Sequence, residues 1–77
     1  IKIDVENFEY QVFLGAEKTL KKYKPIIYCE LWDNDNRYRC FDYLTGLGYH
    51  IMVKQGDGLE RYNEKNHQTQ NFFFVYE

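Results

Sequence analysis

The run PIIYCELW at residues 25–32 constrains the fold of this chain more than any other stretch of its sequence. It is almost continuously apolar and rich in β-forming residues, which is typical of a strand buried on both faces of a parallel sheet. Residues 1–5, IKIDV, alternate like a strand, and a helical pattern separates the two runs. A strand, a helix and a second strand in this order predict a right-handed βαβ unit with parallel strands.

The segment between the two strands carries apolar residues at helical spacing, namely Phe8, Val12, Ala16, Leu20 and Tyr23. Gly15 lies inside this pattern and weakens a helix, so we expect either a kink or two shorter helices. Pro25 then ends the segment.

The rest of the chain continues the alternation. DNDN at residues 33–36 supplies a turn and a helix N-cap, and a second helix follows until Gly46 and Gly48. YHIMVK predicts a third strand, QGDG a hairpin turn into LERY, and NFFFVYE a final strand after a polar loop. The predicted order is β-α-β-α-β-(β)-β, which makes residues 1–77 a single domain of the α/β class.

Composition excludes several kinds of partner. The formal net charge is −2 and the basic residues are mostly scattered, so the chain has no basic face for nucleic acid. No apolar run approaches the roughly 20 residues of a membrane span, so we expect no membrane association. Cys29 and Cys40 are too few for a disulfide framework, and neither has metal-ligand spacing. We expect buried, reduced thiols and a cytoplasmic protein.

Three acidic residues follow the predicted strands. Asp4 and Glu6 lie at the carboxyl end of the first strand, and Glu30 lies near that of the second. Ligands of open α/β sheets bind at this end, where carboxylates can act as general bases or hold a cation. Spacing alone favours a simpler interpretation, in which Asp4 or Glu6 caps the following helix and Glu30 is solvated. The alternative to an enzyme is a small interaction module whose acidic rim binds a ligand or cation.

The order IKIDVENFEYQVFLGAEKTLKKYKPIIYCEL over residues 1–31 resembles the FkbM family of S-adenosylmethionine-dependent methyltransferases. The family pattern joins a Lys-Ile-Asp-Val-Glu strand end, a Leu-x-Gly-Ala helix, a basic stretch with proline and a strand ending in Glu-Leu. The resemblance implies a partial Rossmann-like sheet of mostly parallel strands, with the C-terminal strand inserted antiparallel between its two predecessors. It also implies that residues 1–77 form the C-terminal half of the domain, and that the glycine-rich cofactor loop lies in the preceding half.

The same resemblance implies an O-methyl transfer with S-adenosylmethionine as cofactor and a hydroxyl of a small molecule or carbohydrate as acceptor. Asp4 is the first choice to orient or deprotonate that hydroxyl, with Glu6 and Glu30 positioning the substrate. Asp4 and Asn7 are the residues implied to bind the cofactor. Asn7 stands where the family usually has glycine, and asparagine is the best non-glycine residue at positive φ. Glu9 is expected to interact with the helix dipole, and no metal site is expected.

The chain opens on a strand at Ile1, with neither an initiator methionine nor a polar lead-in. We therefore expect it to be a piece of a longer protein, in which a further strand pairs with residues 1–5. Without that strand, residues 1–5 expose an apolar edge, and exposed edge strands recruit other chains. The expected result is self-association through residues 1–5.

Overall fold

A computed structural model describes residues 1–76 of the chain. In chain order the elements are β1 (Lys2–Ile3), α1 (Glu9–Gly15), α2 (Glu17–Tyr23), β2 (Ile27–Glu30), α3 (Asp35–Gly46), β3 (Tyr49–Gln55), β4 (Gly58–Arg61) and β5 (Asn71–Tyr76).

The predicted first helix is divided in two, and the first strand is shorter than predicted. Gly15 ends α1 and α2 begins at Glu17, which confirms the two-helix alternative. β1 comprises only Lys2 and Ile3, rather than residues 1–5. Asp4 and Val5 follow the paired residues, and Glu6 and Asn7, with φ angles of 46° and 78°, then turn the backbone toward α1.

Within the described residues, the strands form one mixed sheet in the order β1-β2-β5-β3-β4. β1 and β2 are parallel neighbours, as predicted, with Lys2 opposite Tyr28. β5 lies antiparallel between β2 and β3, in the position that the resemblance implied. β1, β2 and β3 run in the same direction, as expected for mostly parallel strands, but only one of the four neighbouring pairs is parallel. The inserted β5 and the β3–β4 hairpin make the other three pairs antiparallel.

The helices pack against one face of this sheet. In β2, Ile27 and Cys29 are buried, whereas the alternating Tyr28 is only half-buried. No strand residue on the same face as Tyr28 is buried within residues 1–76. The prediction that β2 is buried on both faces is therefore wrong for the described chain, because all its helices lie on the other side. The core joins the covered face to helix residues Phe13, Leu20, Cys40, Phe41 and Leu44.

The N-terminus of α3 and the two cysteines agree with the sequence analysis. Asn34 is the N-cap of α3, and its side chain accepts a hydrogen bond of 3.3 Å from the backbone N–H of Arg37. Cys29 and Cys40 are free and buried. Burial raises the pKa of the Cys40 thiol to about 12 and raises that of Cys29 well above its usual range. Both thiols are therefore protonated and unreactive at neutral pH.

Candidate functional site

The carboxyl ends of β1 and β2 lie side by side because the two strands are parallel neighbours. Asp4 follows β1, and Glu30 is the last residue of β2. Both line one small pocket of about 140 Å³, together with Tyr28 and Asn71. The structure thus brings together Asp4 and Glu30, as the sequence analysis predicted. We call this the rim pocket.

Glu6 and Asn7 form the turn that leads from β1 to α1, and neither lines the rim pocket. The positive φ predicted at Asn7 is confirmed, and Glu6 shares it. The side-chain oxygen of Asn7 accepts a hydrogen bond of 2.9 Å from the Nδ2 of Asn34, the N-cap of α3. This contact links the turn after β1 to the turn after β2, so the two loops beside the rim pocket are held together.

The capping interpretation of the acids after β1 is wrong. Phe8 is the N-cap residue of α1, and no side chain makes a capping hydrogen bond there. Asp4 and Glu6 also make no side-chain hydrogen bond or ion pair with another residue of the described chain. Their carboxylates are exposed and available to a ligand.

An open groove of about 710 Å³ continues from the rim pocket across the ends of β2 and β5. It shares Glu30 and Asn71 with the rim pocket, and its other lining residues include Asp33, Tyr38 and Glu64. The hydroxyl of Tyr38 donates to the Asp33 carboxylate at 3.1 Å, and this hydrogen bond raises the pKa of Tyr38. Carboxylates, amides and hydroxyls together give the groove many groups that can bond to a hydroxylated molecule.

A second depression of about 480 Å³ lies beside the Asn7 turn. Amide side chains dominate its lining, which comprises Asn7, Gln11, Asn34, Asp35, Asn36 and Arg39. Asn7 and Asp4 therefore line different cavities, although both residues follow the carboxyl end of β1.

Glu9 is a buried acid that the sequence analysis assigned to a different role. It is 2% exposed, and its Oε1 accepts a hydrogen bond of 2.9 Å from the Nδ2 of Asn36. The Oδ1 of Asn36 accepts a hydrogen bond of 3.4 Å from the backbone N–H of Tyr10. Asn36, on α3, is therefore hydrogen-bonded to two residues of α1. Glu9 is thus an interhelical contact as well as an acid in the first turn of α1. The four-residue spacing between Glu9 and Phe13 puts both on one helix face, and this was the signal in the sequence that Glu9 is buried.

Two kinds of feature are absent from the described residues. Residues 1–76 hold no group of three or more His, Cys, Asp or Glu side chains that could bind a metal ion. Over the same residues, no helix is both long enough and apolar enough to cross a membrane.

The protein is of the α/β class, and its cavities lie at the carboxyl ends of two parallel strands. This is the usual position of a binding site in this class. Residues 1–69 match the family model described as "Methyltransferase FkbM domain". The chain belongs to the FkbM methyltransferase family, and the resemblance seen in the sequence is confirmed. No curated protein and no solved structure matches the chain.

Substitutions at Asn7 test the turn beside the rim pocket. Asn7→Gly should retain the turn, whereas Asn7→Val should lose about 1–2 kcal/mol of unfolding free energy because a β-branched residue is strained at positive φ. Urea unfolding measures both. Both variants lose the Asn7–Asn34 hydrogen bond, so the difference between them reports the backbone strain alone. Equal losses for the glycine and valine variants would contradict the backbone explanation.

Proposed function

We propose that this chain forms the C-terminal half of an S-adenosylmethionine-dependent O-methyltransferase and that its rim pocket faces the methyl acceptor. The observation that carries the proposal is the meeting of Asp4 and Glu30 in one pocket at the carboxyl ends of parallel strands in a member of the FkbM family. The acceptor is a hydroxyl of a small molecule or carbohydrate. The hydrogen-bonding groups of the adjoining groove support an acceptor of this chemistry.

Asp4 is the proposed base because its exposed carboxylate is unpaired within the described chain. It would accept the hydroxyl proton, while the methyl donor would supply the methyl group from its sulfonium sulfur and leave as a neutral thioether. Glu30, on the neighbouring strand, accepts a hydrogen bond from a second donor group of the acceptor and so orients it. Glu6, on the turn, provides negative charge near the site. The proton that leaves the hydroxyl resides on Asp4 until water removes it.

Asp4 and the amide side chains around Asn7 could bind part of the proposed cofactor. S-adenosylmethionine supplies a methyl group on a positively charged sulfur, and the Asp4 carboxylate is suited to a cation of this kind. The amides around Asn7 offer both donors and acceptors to its polar groups. The remaining contacts, including those of a glycine-rich loop, would come from the preceding half of the domain. We propose a cytoplasmic location, and the two free thiols, Cys29 and Cys40, are consistent with it.

Methyl transfer from S-adenosylmethionine carrying a labelled methyl group tests the proposed function. The complete protein is incubated with a panel of hydroxylated small molecules and sugars, and the products are treated with mild base. We expect label in a product that survives base, because methyl ethers are stable where methyl esters hydrolyse. Label found only in base-labile products, or label transferred equally in the absence of the protein, would contradict methyl transfer to a hydroxyl.

The 77-residue chain alone should bind S-adenosylmethionine weakly or not at all. The residues that we assign to the cofactor here, Asp4 and Asn7, reach only part of such a molecule. Calorimetric titration of the isolated chain checks this, with the complete protein as the positive control. A micromolar dissociation constant for the isolated chain would mean that residues 1–77 already contain a complete cofactor site.

We also propose that β1 is the edge through which the isolated chain self-associates. The Ile1 carbonyl accepts from the Tyr28 N–H at 2.7 Å, so by strand alternation the Lys2 N–H faces away from β2. Lys2→Pro removes this outward donor and leaves the β2 pairing intact, so it should reduce association in sedimentation velocity. Leu59→Pro, on the opposite edge strand β4, is the comparison. A wild-type chain that stays monomeric at high concentration would contradict the edge proposal.

A further inference from the structure

Arg37, in the first turn of α3, is a buried cation beside the rim. Its side chain is only 6% exposed, although charged side chains are rarely buried without partners. Nε and Nη2 donate to the carbonyl of Leu31 at 3.2 and 2.8 Å, and Nη2 also donates to the carbonyl of Thr69 at 3.3 Å. Nη1 faces the exposed carboxylate of Asp33 at 3.6 Å. The guanidinium thus bridges two segments that are far apart in sequence.

The two bridged carbonyls adjoin the residues that the rim pocket and the groove share. Leu31 directly follows Glu30, and Thr69 lies two positions before Asn71. Glu30 and Asn71 are the last pair of the β2–β5 ladder. Beyond that pair, the N–H of Leu31 donates to the carbonyl of Gln70 at 2.7 Å. Arg37 therefore spans the end of the ladder at which the strands would otherwise separate.

Arginine suits these contacts better than lysine does. Its planar guanidinium presents five N–H donors in a fixed fork, whereas lysine presents a compact point charge on a flexible chain. The ring of Phe72 lies 5.0 Å from the guanidinium carbon of Arg37 and helps to fix its position. Asp33 is a weak partner because its carboxylate is open to solvent. The backbone carbonyls are therefore the main partners of the guanidinium.

We propose that Arg37 is a positioning residue, which holds Glu30 and Asn71 at a fixed spacing by bridging the carbonyls of Leu31 and Thr69. The importance of that spacing for catalysis rests on the proposed methyl transfer. The existence of the Arg37 bridge does not depend on that proposal. Loss of the bridge lets the ends of β2 and β5 move apart, and this changes the shape of the rim pocket without unfolding the core.

Backbone amide exchange, followed by NMR on the 77-residue chain, tests the bridge residue by residue. Arg37→Met keeps most of the side-chain length and removes every donor. We expect the amides of Leu31 and Phe72, which by strand alternation point across the β2–β5 ladder, to lose about tenfold or more of their protection, while the amide of Phe74 in the same sheet changes less than about twofold. Arg61→Met, which removes an exposed arginine beside His50, is the matched control and should leave both rim amides unchanged.

Chemical rescue separates the lost donors from lost packing. Arg37→Ala leaves space beside the groove, and added ethylguanidinium should restore protection of Leu31 and Phe72, whereas ethylammonium should not. If Arg37→Ala does not fold, Arg37→Lys is measured instead, and it should show the same local loss because lysine lacks the fork. A loss spread evenly over β2 and β5, or no rescue by ethylguanidinium, or full protection in Arg37→Lys, would overturn the proposal. None of these measurements needs a methyl donor, so they are independent of the proposed function.

Discussion

Replacement of Phe74 by alanine should unfold much of the chain population. Phe74 is fully buried in the middle strand of the sheet, between Ile27 of β2 and Ile51 of β3. Its ring centroid lies 6.1 Å from that of Phe41, on α3. A buried phenylalanine replaced by alanine costs about 3–5 kcal/mol, because both transfer energy and packing are lost. Domains have a total stability of roughly 5–15 kcal/mol, with short chains at the lower end.

The neighbouring Phe73 is the matched control, because it lies on the same strand but faces the side of the sheet that no described helix covers. Its ring packs on Tyr28, with centroids 4.6 Å apart, and it is only half-buried. Phe73→Ala should cost about 1–2 kcal/mol, well below the Phe74 variant. Urea unfolding of the two variants compares the two faces directly. Equal losses would contradict a core that lies on one side of the sheet.

Asp4→Asn should lower kcat for methyl transfer in the complete enzyme by between about 100-fold and 10,000-fold, the usual contribution of a general base. Asparagine keeps the size of the side chain but does not accept the hydroxyl proton. Because Asp4 is exposed and unpaired in the described chain, the substitution should leave the thermal unfolding temperature nearly unchanged. Initial rates with labelled S-adenosylmethionine measure the effect.

Two further variants show whether the loss of kcat is specific to the residues of the rim pocket. Asp57→Asn removes an exposed carboxylate at the turn between β3 and β4, and its rate should equal that of the wild type. Glu30→Gln should raise KM for the acceptor more than it lowers kcat, because Glu30 is assigned to orientation. If the Asp4→Asn enzyme had the kcat of the wild type, Asp4 would not be the general base.

The sequence predicted the features that depend on neighbouring residues. Short-range rules of spacing or backbone geometry predicted the parallel βαβ unit, an N-cap within residues 33–36 and the positive φ at Asn7. The apolar helical pattern that began at Phe8 was only partly right: Leu20 is buried and Ala16 packs against the core, whereas Phe8 and Tyr23 are exposed. Phe8 precedes α1 and is 63% exposed, while Phe13 is buried instead. The break at Ala16 explains part of the error, because two short helices need not share one phase.

The remaining features depend on contacts between distant parts of the chain. Glu9 and Arg37 are buried because Asn36 and two backbone carbonyls satisfy them, and those partners lie up to 32 residues away. The apolar run in β2 likewise gave no information on which face the helices would cover. For the site, spacing identified the carboxylates at the strand ends, but only the pairing of β1 with β2 brought Asp4 and Glu30 into one pocket.

Binding of S-adenosylhomocysteine to the complete protein, followed by NMR of its backbone amides, is the most direct test that Asp4 and Asn7 face the cofactor. Asp4 and Asn7 should show large, saturable shift changes, whereas residues 49–61 of the β3–β4 hairpin should show little change. Saturable binding that shifts the hairpin and leaves Asp4 and Asn7 unchanged would contradict the assignment of the site.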